Sequence, residues 1–213
     1  MAPKVSERLH AAFGHTRLPD GLFYRFEFAL RFELGGEVVT SAPRFLQAID
    51  RARDIVRGAF PHPENLEVVL VRVSGARLDR SDAQELRALR RIGFKRHLTS
   101  PERLPLEAGE EEFWSDCGGP PFRYLAAAEA RDRMTDIDAL IWASCTRDTD
   151  VKPRADLDVY LIDYARRVVA HVYDERGMDV IAMTREPLVD LYRQFGPWLL
   201  DYDRARMDLT FGT

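Results

Sequence analysis

The chain has 213 residues, 46% of them hydrophobic, and a formal net charge of -4. That is enough apolar material for a real core and too much for a disordered chain. The charge lacks the basic excess of a nucleic-acid binder, and two cysteines, Cys117 and Cys145, are too few for a disulfide framework or a zinc site.

The N-terminal residues Met1 to Lys4 do not open an apolar leader, and no apolar run is long enough to span a bilayer. The expectation is a cytoplasmic protein with reduced thiols and no membrane association. Of the 31 basic residues only Lys4, Lys95 and Lys152 are lysines, so 28 are arginines, and they are spread along the chain without clustering.

The first twenty residues read as a peripheral segment. Within it Val5, Leu9 and Phe13 lie at helical spacing, and Gly14 is a stop signal. Leu22 to Leu34 alternates: Tyr24, Phe26, Phe28, Leu30 and Phe32 share one parity, while Arg25, Glu27, Ala29, Arg31 and Glu33 take the other. The pattern predicts a half-buried strand with one wet face. Gly35-Gly36 makes a turn, and residues 37–40 start a short return strand.

A helix follows to about Gly58, capped by Ser41 or Thr40, with Phe45, Leu46, Ile49, Ala52, Ile55 and Val56 as its apolar stripe. The valine-rich run Leu66 to Val73 predicts a central strand. Ser81 opens a helix that runs through Arg91 and closes at Gly93. Residues 98–121, rich in Pro, Gly and Glu, predict a long surface loop, functional or mobile. Phe122 to Glu129 fits a strand. Thr135 with Asp138 caps a short helix there, although its composition leaves a strand open.

Leu157 to Ile162, Val168 to Tyr173 and Met178 to Met183 are three strands joined by hairpin-length links. In the second link Gly177 is expected to take positive φ. Pro187 sits in the first turn of a last helix, Gly196-Pro197 breaks it, and Trp198 to Met207 forms a final turn or short helix. The fold class is α+β: a single domain over 1–213 with a mainly antiparallel sheet, a C-terminal three-strand meander and helices packed on one face.

Several blocks carry a resemblance. They are Arg44 to Ala52, Asp158 to Asp163, His171 to Asp179 and Trp198 to Arg204. Together they resemble an uncharacterised bacterial family, number thirty-eight eighty-five in the domain-of-unknown-function series. The resemblance spans roughly Tyr24 to Met207. It implies one domain and assigns no activity and no catalytic residue.

The densest group of chemically capable side chains is His171, Tyr173, Asp174, Arg176 and Asp179, with Tyr160 on the neighbouring strand. An imidazole beside a carboxylate can act as a general base, and an arginine can hold an anion. The competing reading is structural. Asp174 and Gly177 are turn residues, Arg176 pairs with Asp179 to pin the hairpin, and His171 is a sheet residue.

Metal binding finds little support, since the histidines form no His-x-x-x-His pair and Asp156, Asp158 and Asp163 would need opposite strand faces. Cys117 lacks a nucleophile signature, and Cys145 fits a core position. There is no phosphate loop and no nucleophile elbow. No cofactor is expected.

Near the C-terminus, Trp198, Asp201, Tyr202 and Asp203 form an acidic-aromatic tip suited to a basic protein partner. The leading expectation is therefore a non-enzymatic binding domain of immunity or accessory type, with homo-oligomerisation left open. Its alternative is a small hydrolase or nucleotide-processing enzyme built on the hairpin cluster.

Overall fold

The computed structural model describes residues 3–36, 42–75, 77–106, 122–130 and 133–212. Its helices are α1 (Val5–Phe13), α2 (Leu22–Arg25), α3 (Ala42–Ala59), α4 (Arg80–Ile92), α5 (Arg133–Thr146), α6 (Glu186–Gln194) and α7 (Arg204–Phe211). The strands are β1 (Phe28–Glu33), β2 (Leu66–Ser74), β3 (Glu102–Pro105), β4 (Phe122–Glu129), β5 (Asp158–Asp163), β6 (Val168–Val172) and β7 (Gly177–Ala182). They form one sheet in the order β1-β7-β6-β5-β2-β4-β3, with every pairing antiparallel. The α+β class and the meander β5–β6–β7 stand as the sequence predicts.

Period-two alternation assigns each side chain to one of two faces. The first carries Phe28, Leu30 and Phe32 of β1, Met178 and Val180 of β7, Ala170 of β6, Leu161 of β5 and Val68 of β2. Helices α3, α4, α5 and α6 cover this apolar face. Their buried stripes include Ile49, Ala52, Ile55 and Val56 of α3 and Leu188 and Leu191 of α6. Phe195, just after α6, meets Phe32 edge-on at 6.4 Å between ring centroids.

The second face carries Arg31, Asp179, His171, Tyr160 and Asp158 and is covered as well. Helix α1 lies near β4 and α2 near β7 and β1. Val5, Leu9, Phe13, Leu18, Leu22 and Phe23 are all buried between them and the sheet. The Ser6 N–H donates to Glu102 at 3.0 Å, and Arg8 pairs with Glu67. Residues 3–20 are thus a layer of the fold and not a peripheral appendage, because their apolar stripe has a sheet to bury against. Helices lie on both faces, with the three longest, α3, α4 and α5, on one.

Several boundaries differ from expectation, each for a local reason. Residues 22–25 are helical rather than the start of β1: Gly21 takes φ 64, and the Phe23 N–H is claimed by a carboxylate instead of a strand partner. Helix α4 opens at Arg80 because Asp79, not Ser81, is its N-cap. Its carboxylate accepts from the N–H groups of Ser81 and Asp82, while Asp82 reaches back to the Asp79 N–H.

Helix α5 begins at Arg133. Asp138, expected as part of its cap, instead pairs with Arg53 of α3 at 2.7 Å. Part of the expected 98–121 loop is the edge strand β3; residues 107–121, with Cys117, lie outside the described residues, as do 37–40 and the cap at Ser41. Beyond α6 the chain forms a single 3-10 turn at Gly196–Trp198, a second at Asp201–Asp203, and then α7.

The outer edge of β1 is capped by this C-terminal stretch. The Leu200 N–H donates to the Arg31 carbonyl at 2.9 Å, Phe32 forms a bridge with Leu199, and Met207 Sδ accepts from the Arg31 N–H at 3.3 Å. An uncovered edge would template pairing with other chains, and here it is closed by the protein's own backbone. No described helix is long and apolar enough to cross a membrane.

Candidate functional site

Registers across the sheet place four of the polar residues in one row. Arg31 stands opposite Asp179, Asp179 opposite His171, and His171 opposite Tyr160. Residues opposed in this way share a face, so alternation along β5, β6 and β7 brings together side chains far apart in sequence. Tyr160 and His171 are stacked, with ring centroids 4.3 Å apart, and Tyr173 meets the imidazole edge-on at 6.2 Å. The adjacency of Tyr160 and His171 is the one the hairpin arithmetic anticipates.

Asp179 is only 1% exposed in its side chain, and it turns away from His171. Its Oδ1 accepts from Arg31 Nε at 2.8 Å, and its Oδ2 accepts from Arg31 Nη2 at 3.0 Å and from the Phe23 N–H at 3.0 Å. Arg31 also lies 3.5 Å from Asp203 and over the Tyr24 ring at 4.5 Å. Burial alone would lower the arginine's pKa, but hydrogen bonding and the charge of Asp179 more than compensate and hold it above its ordinary value. The expected Arg176–Asp179 pair does not form, since Arg31 is the partner that shares Asp179's face.

Arg176 pairs instead within its own turn. Asp174 accepts from the Arg176 N–H at 2.7 Å and from its Nε at 2.8 Å, an Asx-type arrangement that fixes the link between β6 and β7. Asp174 is buried while the Arg176 side chain is 70% exposed. Gly177 does not have positive φ; the residue with positive φ near these hairpins is Arg167, at 53°. Glycine is required at 177 for space, because a Cβ there would overlap the Tyr173 hydroxyl and approach the Phe32 carbonyl oxygen to 2.8 Å.

The polar neighbour of His171 is Asp158. Its Oδ1 lies 3.6 Å from His171 Nε2, at ion-pair range but too long for a hydrogen bond. Arg147, just past α5, donates to the same oxygen. Nε2 of His171 and the hydroxyl of Tyr160 are buried without a hydrogen-bond partner among the described residues. Burial pushes the Tyr160 hydroxyl well above its ordinary pKa.

For Asp158 burial acts in the same direction, but the nearby His171 and Arg147 outweigh it and leave the carboxyl below its usual value. A carboxylate whose folded pKa is depressed contributes stability that is complete above its unfolded value, about 3.9, and is lost as pH falls through the folded one. The melting-temperature advantage of the wild type over Asp158→Asn should therefore shrink as pH drops below about 4. An advantage that stays constant across that acid range would show that the charge is not what stabilises.

The clefts at Glu67 and His97, at Arg87 and Arg147, at Leu89 and Phe94 and at Leu70 and Tyr124 include none of His171, Tyr160, Asp174, Arg176 or Asp179 in their linings. No group of three or more His, Cys, Asp or Glu side chains among the described residues is placed to hold a metal ion. Cys145 is buried, and burial raises its thiol pKa, which keeps it protonated and inert.

The acidic-aromatic tip divides into buried and exposed parts. Asp203 is 8% exposed, accepts from the Tyr24 hydroxyl at 3.1 and 3.2 Å and faces Arg31, so it belongs to the interior and not to a contact surface. Trp198 stacks on Phe195 at 5.1 Å and is half-buried beneath Arg51. Asp201 is exposed, and Tyr202 is 87% exposed.

Sequence reasoning misses Asp158 and Arg147 as the companions of His171. Asp158 has a signal, since it lies two residues before Tyr160 and so on the same face of β5; Arg147 has none, being brought in by the loop after α5.

An all-antiparallel seven-stranded sheet, layered by helices on both faces with a buried charged row across one of them, defines a mixed α+β domain without a recognisable catalytic constellation among the described residues. Residues 5–203 match the model of a family described as a domain of unknown function (DUF3885), and the chain belongs to that family. No curated protein and no solved structure matches it.

Proposed function

We propose that this chain is a non-catalytic protein-binding domain, of immunity or accessory type, that takes a basic partner at the tip formed by residues 201–203 and the start of α7. The observation that carries the reading is the exposure of Tyr202, at 87%, with Leu209 at 86% and Tyr24 at 52% in the same region. Large side chains left this open on a rigid frame are the usual anchors of protein interfaces.

The frame is rigid because Asp203 beneath is held by Tyr24 and Arg31. Asp201 adds a solvated negative charge beside Tyr202, which favours a cationic partner and speeds its approach. The reading is supported further by how the hairpin residues are used. Asp174, Arg176 and Asp179, on which a hydrolase or nucleotide-processing site would have depended, are engaged in folded contacts. What favours that second reading is the unpartnered Nε2 of His171 beside Asp158, and an activity lost in His171→Ala with folding intact would revive it.

The test is to capture partners with the tagged chain, purify a captured protein and measure the reconstituted complex. Tyr202→Ala should weaken it about ten-fold or more, the size of an aromatic hot spot, with an unchanged melting temperature. Raising salt should slow association. A complex that tolerates Tyr202→Ala combined with Asp201→Ala sinks the proposal, and sedimentation of the chain alone identifies self-association through the same tip.

A further inference from the structure

At the opposite end of the sheet from Tyr202, α4 and residues 147–156 enclose a cleft of about 980 Å³. Its lining holds five cationic side chains against three carboxylates, and Ala88 is its one apolar residue. We propose that this cleft binds a small ligand carrying two or more phosphate groups.

Three of the positive charges are placed for such a ligand and are not consumed by the fold. Arg87 and Arg91 lie one helical turn apart on α4, so both project from one side of the helix. Both are exposed, and Lys152 stands across the cleft from them. None of the three has a carboxylate partner among the described residues.

The carboxylates, in contrast, are largely spent. Glu85 accepts from the Asp156 N–H at 2.7 Å, and Asp156 faces Arg72 at 3.3 Å and Arg147 at 3.4 Å. Arg147 lines the cleft at its inner side, tied to Asp158, and its buried Nε, at ion-pair range of Asp156, has no hydrogen-bond acceptor among the described residues. The result is an open, net-positive cleft with a fixed wall and two free guanidinium forks.

Ligand class follows from these features. Planar guanidinium groups bind phosphate oxygens through paired hydrogen bonds, and two of them at one-turn spacing match adjacent phosphates. A lining this polar offers nothing to an apolar ligand, and the volume lies within the range of small-molecule sites. A long polyanion fits less well. The carboxylates interrupt the positive surface, and the chain as a whole carries a net charge of -4.

The experiment is calorimetric titration of the full chain with tripolyphosphate, pyrophosphate, inorganic phosphate, citrate and a DNA duplex. Tripolyphosphate and pyrophosphate should bind one to one, more tightly than inorganic phosphate. The double variant Arg87→Ala with Arg91→Ala should lose at least ten-fold in affinity, and Lys152→Ala should also weaken binding. Because these side chains are exposed, the variants should melt like the wild type. Should the alanine pair fail to fold, Arg87→Lys with Arg91→Lys keeps the charge, removes the fork and should still weaken binding. The proposal is overturned by no binding at millimolar polyphosphate, by variants that bind as the wild type does, by citrate binding as tightly as tripolyphosphate, or by duplex DNA binding more tightly through the same residues.

Discussion

Replacing Asp179 with alanine should cost about 3–5 kcal/mol, the range for removing one partner of a buried ion pair. The substitution leaves the Arg31 guanidinium, whose side chain is 13% exposed, with Asp203 at 3.5 Å as its remaining carboxylate, and leaves the Phe23 N–H without its acceptor. For a chain of this size that corresponds to a fall in melting temperature of roughly 6–20 °C. The cause is separable from lost packing. In the Asp179→Ala background, Arg31→Met combined with Asp203→Asn removes the remaining buried charges together and should recover part of the stability. If that triple variant is less stable than Asp179→Ala alone, charge burial is not the source of the loss.

Gly177→Val should destabilise by about 2–3 kcal/mol, through overpacking and not through backbone strain. The backbone at 177 tolerates a side chain, but the Phe32 carbonyl is fixed by the β1–β7 ladder and cannot yield. Gly177→Ala should therefore already be harmful. Gly14 is the informative control: its φ is 78° and a Cβ placed there would meet nothing within 4 Å, so alanine at this position encounters strain alone, about 1 kcal/mol. Denaturant midpoints for the three variants rank these effects, and a Gly177→Ala midpoint equal to the wild type would contradict the close approach.

How much of this is legible in the sequence depends on whether the signal is local. The valines of β2, the apolar runs of β5, β6 and β7 and the stripes of α3 and α6 each satisfy one periodicity over a few residues, and the structure has them where the pattern puts them, except that Leu46, expected in the α3 stripe, is exposed at the edge of that helix's buried face. The second face of β1 misleads for the opposite reason. Ala29 and Arg31 alternate with apolar residues as a wet face would, yet Ala29 is buried and Arg31 nearly so.

The partner that makes Arg31 admissible in the interior, Asp179, is 148 positions away, and no window of neighbouring residues reveals it. Asp203 follows the same rule: a surface tip by composition, an interior residue once Tyr24 and Arg31 converge on it. For the candidate site, the stacking of Tyr160 on His171 is readable because a hairpin fixes register, whereas Arg147 arrives by way of a loop that carries no register at all.

Among the described strands β1 pairs with β7 alone, and its other edge is sealed by Leu199, Leu200 and Met207. During synthesis β1 must therefore wait for its strand partner until β7 has emerged from the ribosome. Such non-local closure slows folding and prolongs the exposure of Leu30 and Phe32 in nascent chains. Chaperone dependence during translation, and sensitivity to ribosome stalling downstream of β6, would be its cellular signature.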